Sequence, residues 1–292
     1  MIRIVNLAAD LSPIYPGGQF DLSCWERAIR AADPELADLC LQDMNADLRA
    51  GLTNFDRDLL PVLNAAFREE NARQQAIASF GQVTDGLEDA ILRRVGRGVE
   101  AEIILYPGLC SGAGWVTRLH GRDAILLGIE KIVELKWTDV DAMRGLILHE
   151  LGHVYQSQYG VLERPELTGR RQFLWQLFTE GVAMHFEQLL VGDPAYFHQD
   201  RDGWADWCGT NLSRIKADFL RDLDGMRRDN QRYFGDWVRY DGHGDVGYYL
   251  GAKFVDHICQ SCAFDDILSM PAEDVERAYL TFCHATEAPC IT

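Results

Sequence analysis

The sequence predicts an α+β fold that is mainly helical, with a small sheet ahead of one long apolar helix. Three observations predict it: helical spacing of apolar residues through most of the first third, short β-branched runs between residues 101 and 128, and a return to helical spacing from Thr138 onward. The 292 residues and 47% hydrophobic content are ordinary for a globular protein, so a sizeable core is available.

In chain order, SCWERAIRAAD (23–33), ELADLCLQDMNADLRAGL (35–52) and DLLPVLNAAFREENARQQAIASF (58–80) read as helices, punctuated by Pro34, Gly51 and Gly81. AEIILY (101–106) reads as a strand, and WVTRL, HGRD and AILLG (115–128) read as a hairpin closed by a glycine-containing turn. Thr138 and Asp141 have the spacing of a capping box and Gly160 is a stop signal, so one helix is expected between them, with LILHELGHVYQ (146–156) at its centre. Further helices are expected from about Gln172 to Leu190, before Gly192, and from about Gly247 through GYYLGAKFVDHIC. Composition divides a helical N-terminal region, residues 1–98, from residues 99–292, with no internal repeat and no low-complexity linker between them.

The formal charge of -17 argues against a nucleic-acid partner, because phosphate binding relies on clustered Lys and Arg. The opening MIRIVNLAAD lacks the apolar stretch of a signal peptide, and no run approaches the length of a membrane span. Eight cysteines are scattered through a chain too large to need staples. These features together predict a cytoplasmic protein without a membrane partner. CQSC (Cys259 and Cys262), followed by Cys283 and Cys290, reads as free thiols rather than a second zinc site, since the last pair is widely spaced and CQSC follows a helix pattern.

His149 and His153 are four positions apart, so on a helix they project from nearly the same side, one turn above the other. Glu150 falls beside that face, within reach of a metal-bound water without being a ligand. Zinc suits this HExxH arrangement, because imidazole nitrogen matches a borderline-soft ion and a helix holds two ligands rigidly. The neighbours Leu146, Ile147, Leu148, Leu151 and Val154 make the helix mostly buried, and burying two histidines and a glutamate without a partner would be costly. A catalytic zinc needs a third protein ligand and an open position. Glu180, 27 positions after His153 on the next helix, is the candidate. Its neighbours Leu177 and Met184 are apolar, so it faces the interior, and Gly181 and Ala183 would let the two helices approach closely.

HELGH followed by a Trp-bearing helix with TEGVA resembles the gluzincins, zinc metallopeptidases whose third ligand is a glutamate on a following helix. GYYLGAKFV is similar to a segment of an uncharacterised group of predicted zinc-dependent proteases that share HExxH, an EG-containing helix and a late GY-x-x-G helix. The resemblance covers roughly Ile103 to Ile258. It implies a gluzincin-like zincin catalytic domain over 99–292 preceded by the helical region, with His149, His153 and Glu180 binding Zn2+ and Glu150 as general base. It also implies that substrate lies along an exposed edge strand, expected around Ile125 to Gly128. In thermolysin-like members a carboxylate four residues after the glutamate ligand orients a histidine; here that position is Met184, so Glu187 or a backbone carbonyl must serve instead.

The oxyanion of a tetrahedral intermediate needs a further donor, for which Tyr248 in the GY-x-x-G element is the first candidate, with Tyr249 and His243 behind it. The alternatives are a core tyrosine packed beside Gly247 and Gly251, and a histidine that only decorates the DGHGD turn. His120, His185, His198, His257 and His284 read as structural or exposed, and Trp204 and Trp207 as a packed loop. The expected function is a zinc-dependent metallopeptidase acting on a peptide or protein. The competing expectations are a zinc hydrolase of a non-peptide amide or ester, and an inactive zincin-fold binding protein.

Overall fold

The computed structural model describes residues 1–235 and 237–285. The chain is α+β and mainly helical, and it forms two compact units, Met1–Val154 and Tyr155–Thr292. The composition change at residue 98 lies inside the first unit.

In the first unit, β1 (Ile2–Asn6) is followed by the helices α1 (Leu22–Ala32), α2 (Pro34–Ala50), α3 (Leu60–Arg68), α4 (Glu70–Thr84) and α5 (Leu87–Val95). Asp21 and Asp33 cap α1 and α2 by accepting from the backbone N–H groups of Cys24 and Leu36. Gly81 does not interrupt its helix as expected. The break comes at Glu69 (φ -82°, ψ 57°), and α4 runs through the glycine to Thr84. β2 (Ala101–Tyr106), β3 (Gly114–Leu119) and β4 (Arg122–Gly128) then complete a sheet of order β1-β2-β4-β3.

β1 pairs parallel to β2 and β2 parallel to β4, while β3 runs antiparallel to β4 as the second arm of the expected hairpin. Every residue of β2 is buried, which is why Ile103 to Tyr106 run apolar without alternating, while the buried Glu102 is paired with Arg3 and His120. β4 lies between β2 and β3, so Ile125 to Gly128 are interior, and the edge strand expected there is β3 instead. The hairpin folds outward from β4 because the other side of β4 is already taken by β2. β1 was not legible in the sequence because its partner strand lies about 100 residues downstream and its five residues are too few to set a pattern.

At the hairpin tip, His120 donates its backbone N–H to Glu35 (2.9 Å), and its ring meets Glu102 and Asp33 at 3.1 Å each. The bond to Glu102 raises the imidazole pKa, partial burial opposes it, and Asp33 adds to the rise. A histidine pKa raised by folding stabilises fully below the unfolded value of about 6.5, and that contribution fades as pH rises through the folded value. His120→Ala is therefore expected to cost more stability at pH 5.5 than at pH 9, by about 1 kcal/mol or less for a partly exposed group. Denaturant unfolding of both proteins at the two pH values measures this, and an equal loss at both would contradict it.

The first unit then continues through α6 (Ile129–Glu134) into α7 (Val140–Tyr159), the helix that carries the two histidines. Its cap differs from the expected one. Asp139 accepts from the N–H groups of Asp141 (3.1 Å) and Ala142 (2.9 Å), while the Thr138 hydroxyl bonds to Gln75. The helix stops before Gly160 as expected.

The second unit contains α8 (Arg170–Val191), α9 (Trp204–Asp222), α10 (Val246–Cys259), α11 (Phe264–Ile267) and α12 (Ala272–His284). α8 and α10 cross at Gly181 and Gly251, where a β-carbon on Gly251 would lie 2.7 Å from the Leu177 carbonyl oxygen and 2.9 Å from the Gly181 nitrogen. Phe254 on α10 packs against Phe178 and Tyr279, joining α8, α10 and α12 in one core. Among the described residues, no helix is long and apolar enough to cross a membrane.

Candidate metal centre

α7 presents its histidines as its geometry requires. The His149 and His153 rings are 4.9 Å apart and perpendicular, one turn from each other on the same side. Leu146, Ile147, Leu151 and Val154 are buried around them, His149 is 3% exposed, and His153 is half-buried. Glu180 sits on α8, half-buried, between Leu177 and Met184, which are both fully buried. Ligand atoms of His149, His153 and Glu180 all lie within 4.8 Å of one another. Among the described residues, no other group of three or more His, Cys, Asp or Glu converges this way.

The donor set fits a divalent metal. Two neutral imidazoles and one carboxylate match the ligand types of catalytic zinc, where bonds of about 2.0–2.2 Å place neighbouring donors about 3.4 Å apart. Modest side-chain adjustment brings groups within 4.8 Å to that spacing. Three protein ligands would leave a fourth position open, as catalytic zinc sites do.

Glu150 is 6% exposed and lies against the start of β3. A β-carbon on Gly114 would be 2.6 Å from Glu150 Oε1, 2.9 Å from its Cγ and 2.9 Å from a methyl of Leu146. Only glycine leaves room there for the carboxylate. Gly114 was not anticipated from the sequence, where it reads only as the last residue of the small SGAG run (111–114). The open edge of the sheet thus begins beside the glutamate of the HExxH motif.

The remaining candidates lie on the second unit. Tyr248 is half-buried near the start of α10, its ring 6.0 Å from Phe234, one turn before the Gly251 that meets Gly181 next to Glu180. Tyr249 is buried instead, stacked on Phe197 (5.0 Å) and edge-on to Trp204 (5.9 Å). His243 sits in the turn bridged by Tyr240, with its ring stacked on Trp207 at 3.7 Å. Trp204 and Trp207 open α9 rather than lying in a loop, and the Trp204 indole N–H donates to the Gly244 carbonyl. Trp204 thereby ties α9 to the turn that precedes α10.

Met184 is fully buried, and Glu187, one turn further on, holds His198: its two carboxylate oxygens are each 3.0 Å from His198 Nδ1, and Oε1 accepts the His198 backbone N–H at 3.2 Å. His185 pairs with Asp256 at 3.0 Å, and His257 packs on Phe282. The described cysteines form no disulfide, and burial pushes the Cys259 thiol up to about 11, which disfavours the thiolate a metal needs. Cys290 lies outside the described residues.

Comparison with protein-family models, with curated proteins and with solved structures returns no match.

Proposed function

We propose that the protein is a zinc-dependent metallopeptidase of gluzincin type, with His149, His153 and Glu180 as the zinc ligands, Glu150 as general base and a peptide or protein as substrate. The observation that carries the reading is that ligand atoms of those three residues lie within 4.8 Å of one another, with Glu150 next to His149 on a mostly buried helix. When bound there, zinc supplies a Lewis acid that lowers the pKa of water toward neutrality and polarises a carbonyl.

The chain's own groups do the rest. Glu150 takes a proton from the attacking water and returns it to the leaving amine, a role that suits a carboxylate shielded from bulk solvent at 6% exposure. The Tyr248 hydroxyl donates to the developing oxyanion, being the half-buried member of the tyrosine pair while Tyr249 fills the core. β3 offers its free edge to an extended chain, with Gly114 at the Glu150 end. A cytoplasmic site of action is part of the same reading.

Incubation of the zinc-loaded protein with a mixed peptide library tests it. Cleavage that a chelator abolishes and added zinc restores is expected. A zinc-loaded protein that cleaves no peptide yet hydrolyses simple amides or esters would overturn the peptidase assignment and keep the hydrolase.

A further inference from the structure

The loop of residues 107–113, which joins β2 to the edge strand, is built around one buried carboxylate. Glu130, two residues beyond β4, is 2% exposed, and its oxygens accept the backbone N–H groups of Gly108 (2.8 Å) and Cys110 (3.0 Å). Two glycines wall it in. A β-carbon on Gly108 would collide with Oε1, and one on Gly128 would lie 3.0 Å from Oε1 and 2.7 Å from the Gly112 carbonyl oxygen. Cys110 is held at φ 66°, a left-handed conformation uncommon for a residue with a side chain.

The far end of the loop is fixed by the Gly128 N–H, which donates to the Ala113 carbonyl at 3.1 Å. That bond sets the parity of the hairpin. With Gly114 opposite Leu127 and Val116 opposite Ile125, the N–H and C=O groups of Gly114 and Val116 point away from β4, toward the open side. Gly114 also touches Glu150, so an error in the loop displaces the first free backbone pair relative to the base. Packing alone does not call for a carboxylate at position 130. Burial raises its pKa against the two N–H bonds, whereas an ionised carboxylate gripping two amides is among the stronger clamps available to a loop.

We infer that Glu130 is a positioning residue for substrate: by clamping residues 108–110 it fixes the free edge of β3 against Glu150, and so sets where an extended peptide backbone lies in the site. The inference rests on the peptidase reading. Its test compares two zinc-binding probes on the zinc-loaded full chain by calorimetry, acetohydroxamate, which has no peptide backbone, and a dipeptidyl hydroxamate, which adds one. Hydrogen exchange at residues 108–116 is followed in parallel.

Glu130→Gln and Gly128→Ala are each expected to weaken the dipeptidyl compound at least tenfold, to leave acetohydroxamate within twofold, and to speed exchange in the loop. Glu134→Gln, on the exposed side of the same short helix, should change none of these. Gly128→Ala carries the test if Glu130→Gln does not fold, and failure of both to fold would overturn the inference, because the carboxylate would then serve the core. Equal weakening of both probes, or no change in the dipeptidyl one, would also overturn it. A wild type that binds both probes with equal affinity sinks the inference and spares the zinc site. A wild type that binds neither sinks the peptidase reading and the inference together.

Discussion

Replacing Glu150 by Gln is expected to lower kcat for the proposed peptide hydrolysis by about 10²–10⁴-fold and to leave the zinc content unchanged. The substitution keeps the shape of a side chain that is 6% exposed and packed against Gly114, so the fold has no reason to change. It removes only the capacity to accept and return a proton. Glu150 is adjacent to His149 in sequence and is not among the three residues whose ligand atoms converge, which is why metal and activity should separate. Loss of zinc in the variant would make Glu150 a ligand. Activity within a few-fold of wild type would move the base elsewhere, and a cellular role that survives the substitution would favour a binding protein.

Gly181→Ala is expected to destabilise the protein by about 1–3 kcal/mol and to weaken zinc binding at the proposed centre. A β-carbon at this position would collide with the Gly251 carbonyl oxygen and lie 2.6 Å from its carbon and 2.8 Å from a Val255 methyl. The obstacle is backbone, which cannot rotate aside as a side chain does, so α8 and α10 must separate. Glu180 is the preceding residue on α8 and moves with that helix. Gly225→Ala is the control, since a β-carbon there meets nothing within 4 Å, and it should stay within about 0.5 kcal/mol of wild type. Denaturant unfolding with zinc titration of both variants measures the pair, and equal stability of the two would contradict the close-packed crossing.

Local patterns carried much of the fold. The apolar run of β2, the hairpin, and the helices holding His149, Glu180 and Tyr248 were legible because each depends on periodicity and on a nearby glycine or acidic cap. Features that depend on distant partners were not legible. β1 owes its existence to β2, far along the chain, and the swap of β3 for β4 at the sheet edge follows from the β2–β4 pairing, which no local signal announces. The two tryptophans that open α9 looked like loop residues because Gly203 and Gly209 flank them, whereas burial of Trp204 against Phe197 and Tyr249 favours the helix.

In the site, the proximity of His149, His153 and Glu180 was legible from spacing and from the cost of burying unpaired polar groups. Gly114 and Glu130 did not, because a glycine that leaves space for a carboxylate, and a carboxylate that holds two backbone amides, are recognisable only when the strand and the loop are seen side by side. The same holds for the engagement of Glu187 by His198 across ten intervening residues.

Metal content by inductively coupled plasma mass spectrometry, on untagged wild-type protein and on the His149→Ala and Glu180→Ala variants, tests the ligand triad most directly. About one zinc per wild-type chain, lost or sharply reduced in both variants, is the expected result. Zinc retained in Glu180→Ala but lost in His149→Ala would move the third ligand elsewhere, and no metal in the wild type after zinc is supplied would contradict the centre altogether.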